Sequence, residues 1–275
     1  MCRILYALNQ PNIKSKISTI LMQSTDEPKA IDGHGFAALD PTTRKWIIRK
    51  SSKPASSKTQ IADTFAESPL VIGHLRNAQI VDVPKNIIDG PLSASLKNTH
   101  PFYHKNCVFV HNGRFDDAHL PSMRQWFREN ILPEYWKHIK GHTDSECVFY
   151  LLLSIIKRRA RMYKDIDALN GKGSEELRDA VKECFQLLDS KFHLYIANFI
   201  YADSEYSIVG RLEKNATAKG KRVDSLYMAS SSQQKHNELL FTTEPLDESQ
   251  KYELVNWGTV IVINNETAEY SKYRV

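Results

Sequence analysis

The chain has 275 residues, enough for one large or two small units, with 41% hydrophobic and 25% charged residues, as in ordinary globular proteins. Its net charge of +5 is mild and does not call for a nucleic-acid partner. The longest apolar run, "CVFYLLLSII", is half the length of a membrane span, which takes about 20 residues, and no cationic–apolar–small pattern of a signal peptide opens the chain.

In chain order, strands are predicted at 3–8, 34–39, 45–49, 70–75, 107–111, 192–201, 205–211, 225–230, 239–243 and 258–264. Helices are predicted near 12–23, 58–66, 117–130, 144–163 and 174–190. In the last of these, Leu177, Ala180, Val181, Cys184, Phe185 and Leu188 recur at helical spacing, and Ser174 is placed as its N-cap. The helix at 144 begins with a T-x-x-E capping box of Thr143 and Glu146, which puts Asp144 in the first turn. Many strands without strict β-α alternation indicate an α+β fold with a largely antiparallel sheet. No repeat and no long linker interrupts it, so residues 1–275 are read as one domain.

The four cysteines, Cys2, Cys107, Cys147 and Cys184, lack C-x-x-C spacing, which argues against disulfides and zinc and suits a reducing, cytoplasmic compartment. Cys107, Cys147 and Cys184 fall in strand or helix patterns and read as buried thiols. Cys2 differs. Removal of Met1 would leave it as the first residue, with a thiol and a free α-amine on one carbon. His100 and His104 are separated by Pro101, which argues against a helical metal pair, and no other cluster has ligand spacing. No metal and no cofactor is expected.

Four further stretches carry candidate chemistry. "VFVHNGRF" contains Asn112-Gly113, a strong type I′ hairpin signal. A tight turn there would also present the Gly113 N–H beside the Asn112 amide, two donors of the kind an oxyanion hole needs. In "LVIGHLRNA", Arg76 follows a buried strand, either as a surface cation or as a clamp on a carboxylate. In "GHTDSE", Asp144 either complements the helix dipole or receives an ammonium group. The run Lys157, Arg158, Arg159 and Arg161 reads as cations at a helix C-terminus, with a nucleic-acid patch as the other reading. A carboxylate clamp beside an ammonium acceptor describes the α-amino-acid end of glutamine or of a γ-glutamyl group.

With these pieces in the order Cys2, "DGHGF" (32–36), "GHLRNA" (73–78), "NTHPF" (98–102), "HNG" (111–113), "TDSE" (143–146) and "LFTTEPLD" (240–247), the chain resembles the class II glutamine amidotransferases. Their catalytic domain is an N-terminal-nucleophile hydrolase. "DGxG", "NTHPF" and "TTEPLD" look most like its standalone branch, which includes the fungal glutathione-degrading subunit and the ergothioneine-pathway amidohydrolase. The resemblance implies a four-layer αββα sandwich with Cys2 at the end of a central strand, and no attached synthase or sugar-binding domain. It implies Cys2 as nucleophile with its α-amine as base, Asn112 and Gly113 as oxyanion donors, Arg76 on the substrate α-carboxylate and Asp144 on the α-ammonium. The expected substrate is glutamine or a γ-glutamyl peptide, the expected partner a synthase or peptidase subunit where one is needed. After the clamp arginine the chain reads "RNAQIVDV", with Gln79 where relatives place a hydroxyl, which leaves room for a larger γ-glutamyl substrate.

Overall fold

The layering follows from the side-chain alternation of the first strand, whose successive residues point to opposite faces. In a computed structural model that describes residues 2–22, 32–54, 61–76, 95–115, 120–162, 173–192, 194–213, 225–233, 236–248 and 250–275, Ile4, Tyr6 and Leu8 enter one apolar cluster while Leu5 and Ala7 enter another. The strands are β1 (Arg3–Leu8), β2 (His34–Leu39), β3 (Trp46–Ser51), β4 (Leu70–Leu75), β5 (Phe102–His104), β6 (Cys107–Phe115), β7 (Leu194–Ala202), β8 (Tyr206–Glu213), β9 (Tyr227–Gln233), β10 (His236–Thr242), β11 (Glu253–Leu254), β12 (Thr259–Asn264) and β13 (Tyr270–Arg274). The helices are α1 (Ile13–Met22), α2 (Ile61–Thr64), α3 (Leu120–Asn130), α4 (Pro133–Trp136), α5 (Asp144–Met162) and α6 (Gly173–Phe192).

Two sheets form, in the orders β11-β9-β10-β1-β4-β2-β3 and β13-β12-β8-β7-β6-β5, and the pairings within them are antiparallel. Between them lies a core of Ile4, Tyr6, Ile72, Val110, Ile200 and Ile261. Outside the first sheet, α1 and α2 cover Leu5, Phe36 and Val71 with Ile17, Ile20 and Ile61. Outside the second, α5 and α6 cover Phe109 and Phe199. Phe149 stacks on Phe109 at 5.6 Å and Phe185 on Phe199 at 4.4 Å. The result is helix, sheet, sheet, helix, the αββα order expected.

Three local expectations change. Asn112-Gly113 is not a hairpin turn. It lies inside β6, with Asn112 opposite Asn198 and Gly113 opposite Ala197 on β7, and the ladder is irregular only between Arg114 and Phe115. Long-range pairing with β7 outweighs the local turn preference. Ser174 is not an N-cap, because α6 begins at Gly173. The strands β5, β11 and β13 escape the sequence pattern altogether.

Gly35 on β2 packs closely against the His100 backbone. A Cβ there would lie 2.1 Å from the backbone oxygen of His100, which cannot rotate away. Gly35→Ala is therefore expected to lower stability by about 1–3 kcal/mol, the scale of overpacking in a tight interior. Urea unfolding with an unchanged midpoint would contradict this.

Candidate active site

The register of β1 and β4 sets the first contact. Arg3 is opposite Leu75, the last pair of that ladder, and Cys2 and Arg76 are the next residues along the two chains. The row continues into the loop before β2, where the Arg76 N–H donates to Gly33 O at 2.8 Å and the Asp32 N–H donates to Arg76 O at 2.8 Å. Arg76 is buried. On the other flank, the Ile4 N–H donates to Thr243 Oγ1 at 3.3 Å, and Arg3 Nη2 lies 3.3 Å from Glu244 Oε2. The "TTEPLD" stretch thus clamps the strand that carries Cys2.

The facing sheet brings the oxyanion candidates. Asn112 Nδ2 donates to Cys2 O at 3.2 Å. An amide nitrogen carries two hydrogens, so one remains for a second acceptor. β5 pairs with β6 only between His104–Cys107 and Phe102–Phe109, and beyond Phe109 that edge of β6 meets no strand among the described residues. Backbone donors of the Asn112-Gly113 stretch therefore have an open side.

Asp144 opens α5, as expected. The Glu146 N–H donates to Thr143 Oγ1 at 3.2 Å, the first half of the capping box. The second half is diverted. The Glu146 carboxylate accepts from Lys140 N at 2.9 Å and from Gly141 N at 2.6 Å. Asn98 Oδ1 accepts from His142 N at 2.9 Å, so the "NTHPF" stretch also holds the loop before Asp144. Asp144 Oδ1 accepts from Ser145 N at 2.7 Å and from Ser145 Oγ at 3.2 Å, and Ser145 Oγ lies 3.0 Å from His111 Nδ1.

The sequence reading, which weighed His100 only as a metal partner of His104, missed that His74, His100 and His111 are buried around this site. The His74 and His100 rings lie 4.1 Å apart, and His100 meets Phe102 edge-on at 4.6 Å. Burial pushes His74 down to about 3, with the positive charge of Arg76 adding to it. Burial, then His74, His111, Lys50 and Arg76, hold His100 well below its ordinary value. Burial also lowers His111, against the pull of the Asp144 carboxylate. One signal was available: His74 and Arg76 are two apart on an extended stretch, and so share a face.

Burial raises the other three thiols. Burial pushes Cys147 up to about 12 and raises Cys184 further. Cys107, expected to be buried, is half-buried at the start of β6, and its Sγ lies 3.1 Å from the Tyr201 hydroxyl. It too is pushed up to about 12. Gln79, Ile80 and Val81 fall outside the described residues.

The neutral histidines predict acid sensitivity. As pH falls below about 6.5, the unfolded chain takes up protons on these residues, whereas in the fold His74 resists until about 3. The unfolded state then binds more protons, so stability falls with pH across that window, by about 1.4 kcal/mol per pH unit for each histidine that stays neutral. Urea midpoints at about pH 7 and about pH 5 test this, above most carboxylate titration. Equal midpoints would show that the cluster accepts protons in the folded state.

The sequence matches the family described as "Glutamine amidotransferases class-II" over residues 1–272. "Probable glutamine amidotransferase DUG3" of Saccharomyces cerevisiae is 30% identical over 179 residues, which cover 58% of this chain. They cover 46% of that protein, so the match spans less than half of its length. Among solved structures, a "glutamine aminotransferase class-II domain protein" from Silicibacter pomeroyi superposes with a TM-score of 0.60 at 19% identity, covering 99% of both chains. The glutamine phosphoribosylpyrophosphate amidotransferase of B. subtilis superposes with a TM-score of 0.61 at 15% identity, covering 99% of this chain and 49% of that one. At these identities the structural likeness is one of fold, the αββα sandwich of N-terminal-nucleophile hydrolases. With the family match running over nearly its whole length, the chain belongs to the class II glutamine amidotransferases.

Proposed function

We propose that this chain hydrolyses a γ-glutamyl amide through a thioester on Cys2, formed once Met1 has been removed. The observation that supports it best is the Asn112 amide reaching Cys2 from the other sheet, with Arg76 next along the chain after the β4 residue that pairs with Arg3. A free α-amine, with an ordinary pKa of about 7.7–8.0, can accept the proton of a thiol near 8.5, so the nucleophile needs no separate base. The sulfur attacks the side-chain carbonyl carbon of the substrate. Asn112 Nδ2–H and the Gly113 N–H receive the negative charge that develops on oxygen, each donor worth on the order of 3 kcal/mol. The intermediate collapses, the C–N bond breaks, and the departing ammonia or amine takes the proton held on the α-amine. Water then hydrolyses the thioester and frees Cys2. Arg76 holds the substrate α-carboxylate and Asp144 its α-ammonium, fixing the reacting carbonyl over the sulfur.

A second reading is an ammonia-donating subunit that works with a separate partner. In its favour, the portion shared with the yeast relative and with the B. subtilis enzyme makes up about half of each of those proteins. Turnover of glutamine without a partner would favour the hydrolase. A basic docking module draws no support from its best feature. Lys157 pairs with Glu134 at 3.1 Å, Arg159 with Glu183 at 2.7 Å, and Arg158 Nη2 donates to Asn130 O at 2.5 Å, so these cations serve the helical layer.

Intact mass spectrometry after incubation with 6-diazo-5-oxo-L-norleucine, a reactive glutamine mimic, should show loss of Met1 and a single adduct, absent in Cys2→Ala. An adduct retained in Cys2→Ala ends the thioester mechanism. Asp144→Asn should raise KM for the glutamyl substrate by roughly tenfold or more with a smaller effect on kcat, as the loss of one charged contact at the substrate head requires. Comparing glutamine with glutathione then separates ammonia from a larger amine as the leaving group.

A further inference from the structure

Asp144 and Asn112 stand on different layers, one at the start of α5 and the other in β6, yet the side chains of Ser145 and His111 link Asp144 to the residue before Asn112. Resting on the proposed reaction, the geometry points to His111 and Ser145 as positioning residues that aim the Asp144 carboxylate from the strand carrying the oxyanion donors.

Hydrogen-bond directions fix how the chain runs. An ionised carboxylate only accepts, so at 3.2 Å the Ser145 hydroxyl donates its one hydrogen to Asp144 Oδ1. Towards His111 Nδ1, at 3.0 Å, the same oxygen can then only accept. His111 Nδ1 therefore carries the hydrogen. Burial keeps the ring neutral, so Nε2 is bare, and Nε2 is indeed buried with no hydrogen-bond partner among the described residues.

Both bonds from Ser145, from its N–H and its hydroxyl, fall on Oδ1 of Asp144. Among the described residues no hydrogen bond falls on Oδ2, which is the oxygen left for an incoming ammonium group. His111 immediately precedes Asn112 in β6 and pairs with Phe199, so its backbone is fixed by the same ladder. A displacement of β6 that moved the oxyanion donor would move the ammonium receptor with it. The two ends of the glutamyl group are then held at a fixed separation, as an oriented reaction requires.

The experiment has two readouts. In unliganded protein with ring-15N-labelled histidine near pH 7, His111 should show a protonated Nδ1 and a bare Nε2, its resonances assigned by their absence in His111→Gln. Ser145→Ala should abolish that preference, and raise KM for glutamine or glutathione by about tenfold with kcat within about twofold, the scale of one hydrogen bond to a charged group. Ser145→Thr, which keeps the hydroxyl, should restore both the tautomer and KM. A wild-type His111 protonated on Nε2, or a Ser145→Ala variant with unchanged tautomer and unchanged KM, overturns the relay. Failure of the wild type to turn over any γ-glutamyl amide would instead count against the proposed function, and the ring spectrum decides the relay by itself.

Discussion

The hydrogen bond from the Asn112 amide to the Cys2 carbonyl, 3.2 Å long, links the two sheets at the point on which the site depends. The first residues of a chain fray unless something ties them down. Cys2 lies just past the last paired residue of β1, where the ladder no longer restrains it. Other contacts take over. Thr243 and Glu244 hold Ile4 and Arg3 from the β10 side, and Asn112 reaches across from β6. Since β1 is flanked by β4 and β10 and buried on both faces, its direction is set before the site is assembled.

That burial also explains what could be read in advance. A strand covered on both faces shows as a continuous apolar run, and β1, β2 and β4 match the expected 3–8, 34–39 and 70–75 residue for residue. The missed strands β11 and β13 lie at sheet edges and are largely exposed, and β13 reads "YSKYR". Their pairing is imposed by the neighbouring strand, and their own pattern carries no trace of it. Asn112-Gly113 failed for the opposite reason: its local signal was strong, and a ladder with β7 overrode it. Around the site, the residue types in "HNG", "TDSE" and "GHLR" were legible because their chemistry is. The histidines were not, because a sequence does not show that His74, His100 and His111 become neighbours.

Those histidines set the electrostatics. Arg76 is a buried cation and Asp144 a half-buried anion, and the rings between them are held uncharged by burial. In surroundings of low dielectric each remaining charge acts over a longer range than in water. Lys50 shows the same pressure: burial lowers it to about 8, against the opposing pull of Glu146. Around the three histidines, burial thus opposes added charge.

This economy of charge bears on recognition. A protonated His111 would lie next to Ser145 and within the field of Asp144, and would offer that carboxylate a permanent cation from the protein itself. The substrate ammonium would then bind to a site already neutralised. With the imidazole neutral, the relay through Ser145 orients Asp144 by dipoles alone and leaves its charge uncompensated. Near Arg76, His74 and His100 are likewise held neutral by burial. On the proposed function, the glutamyl head, one cation and one anion on a single carbon, is complementary in charge to Asp144 and Arg76. Burying three imidazoles costs stability in acid, and what it leaves near the site is neutral rings beside one carboxylate and one guanidinium.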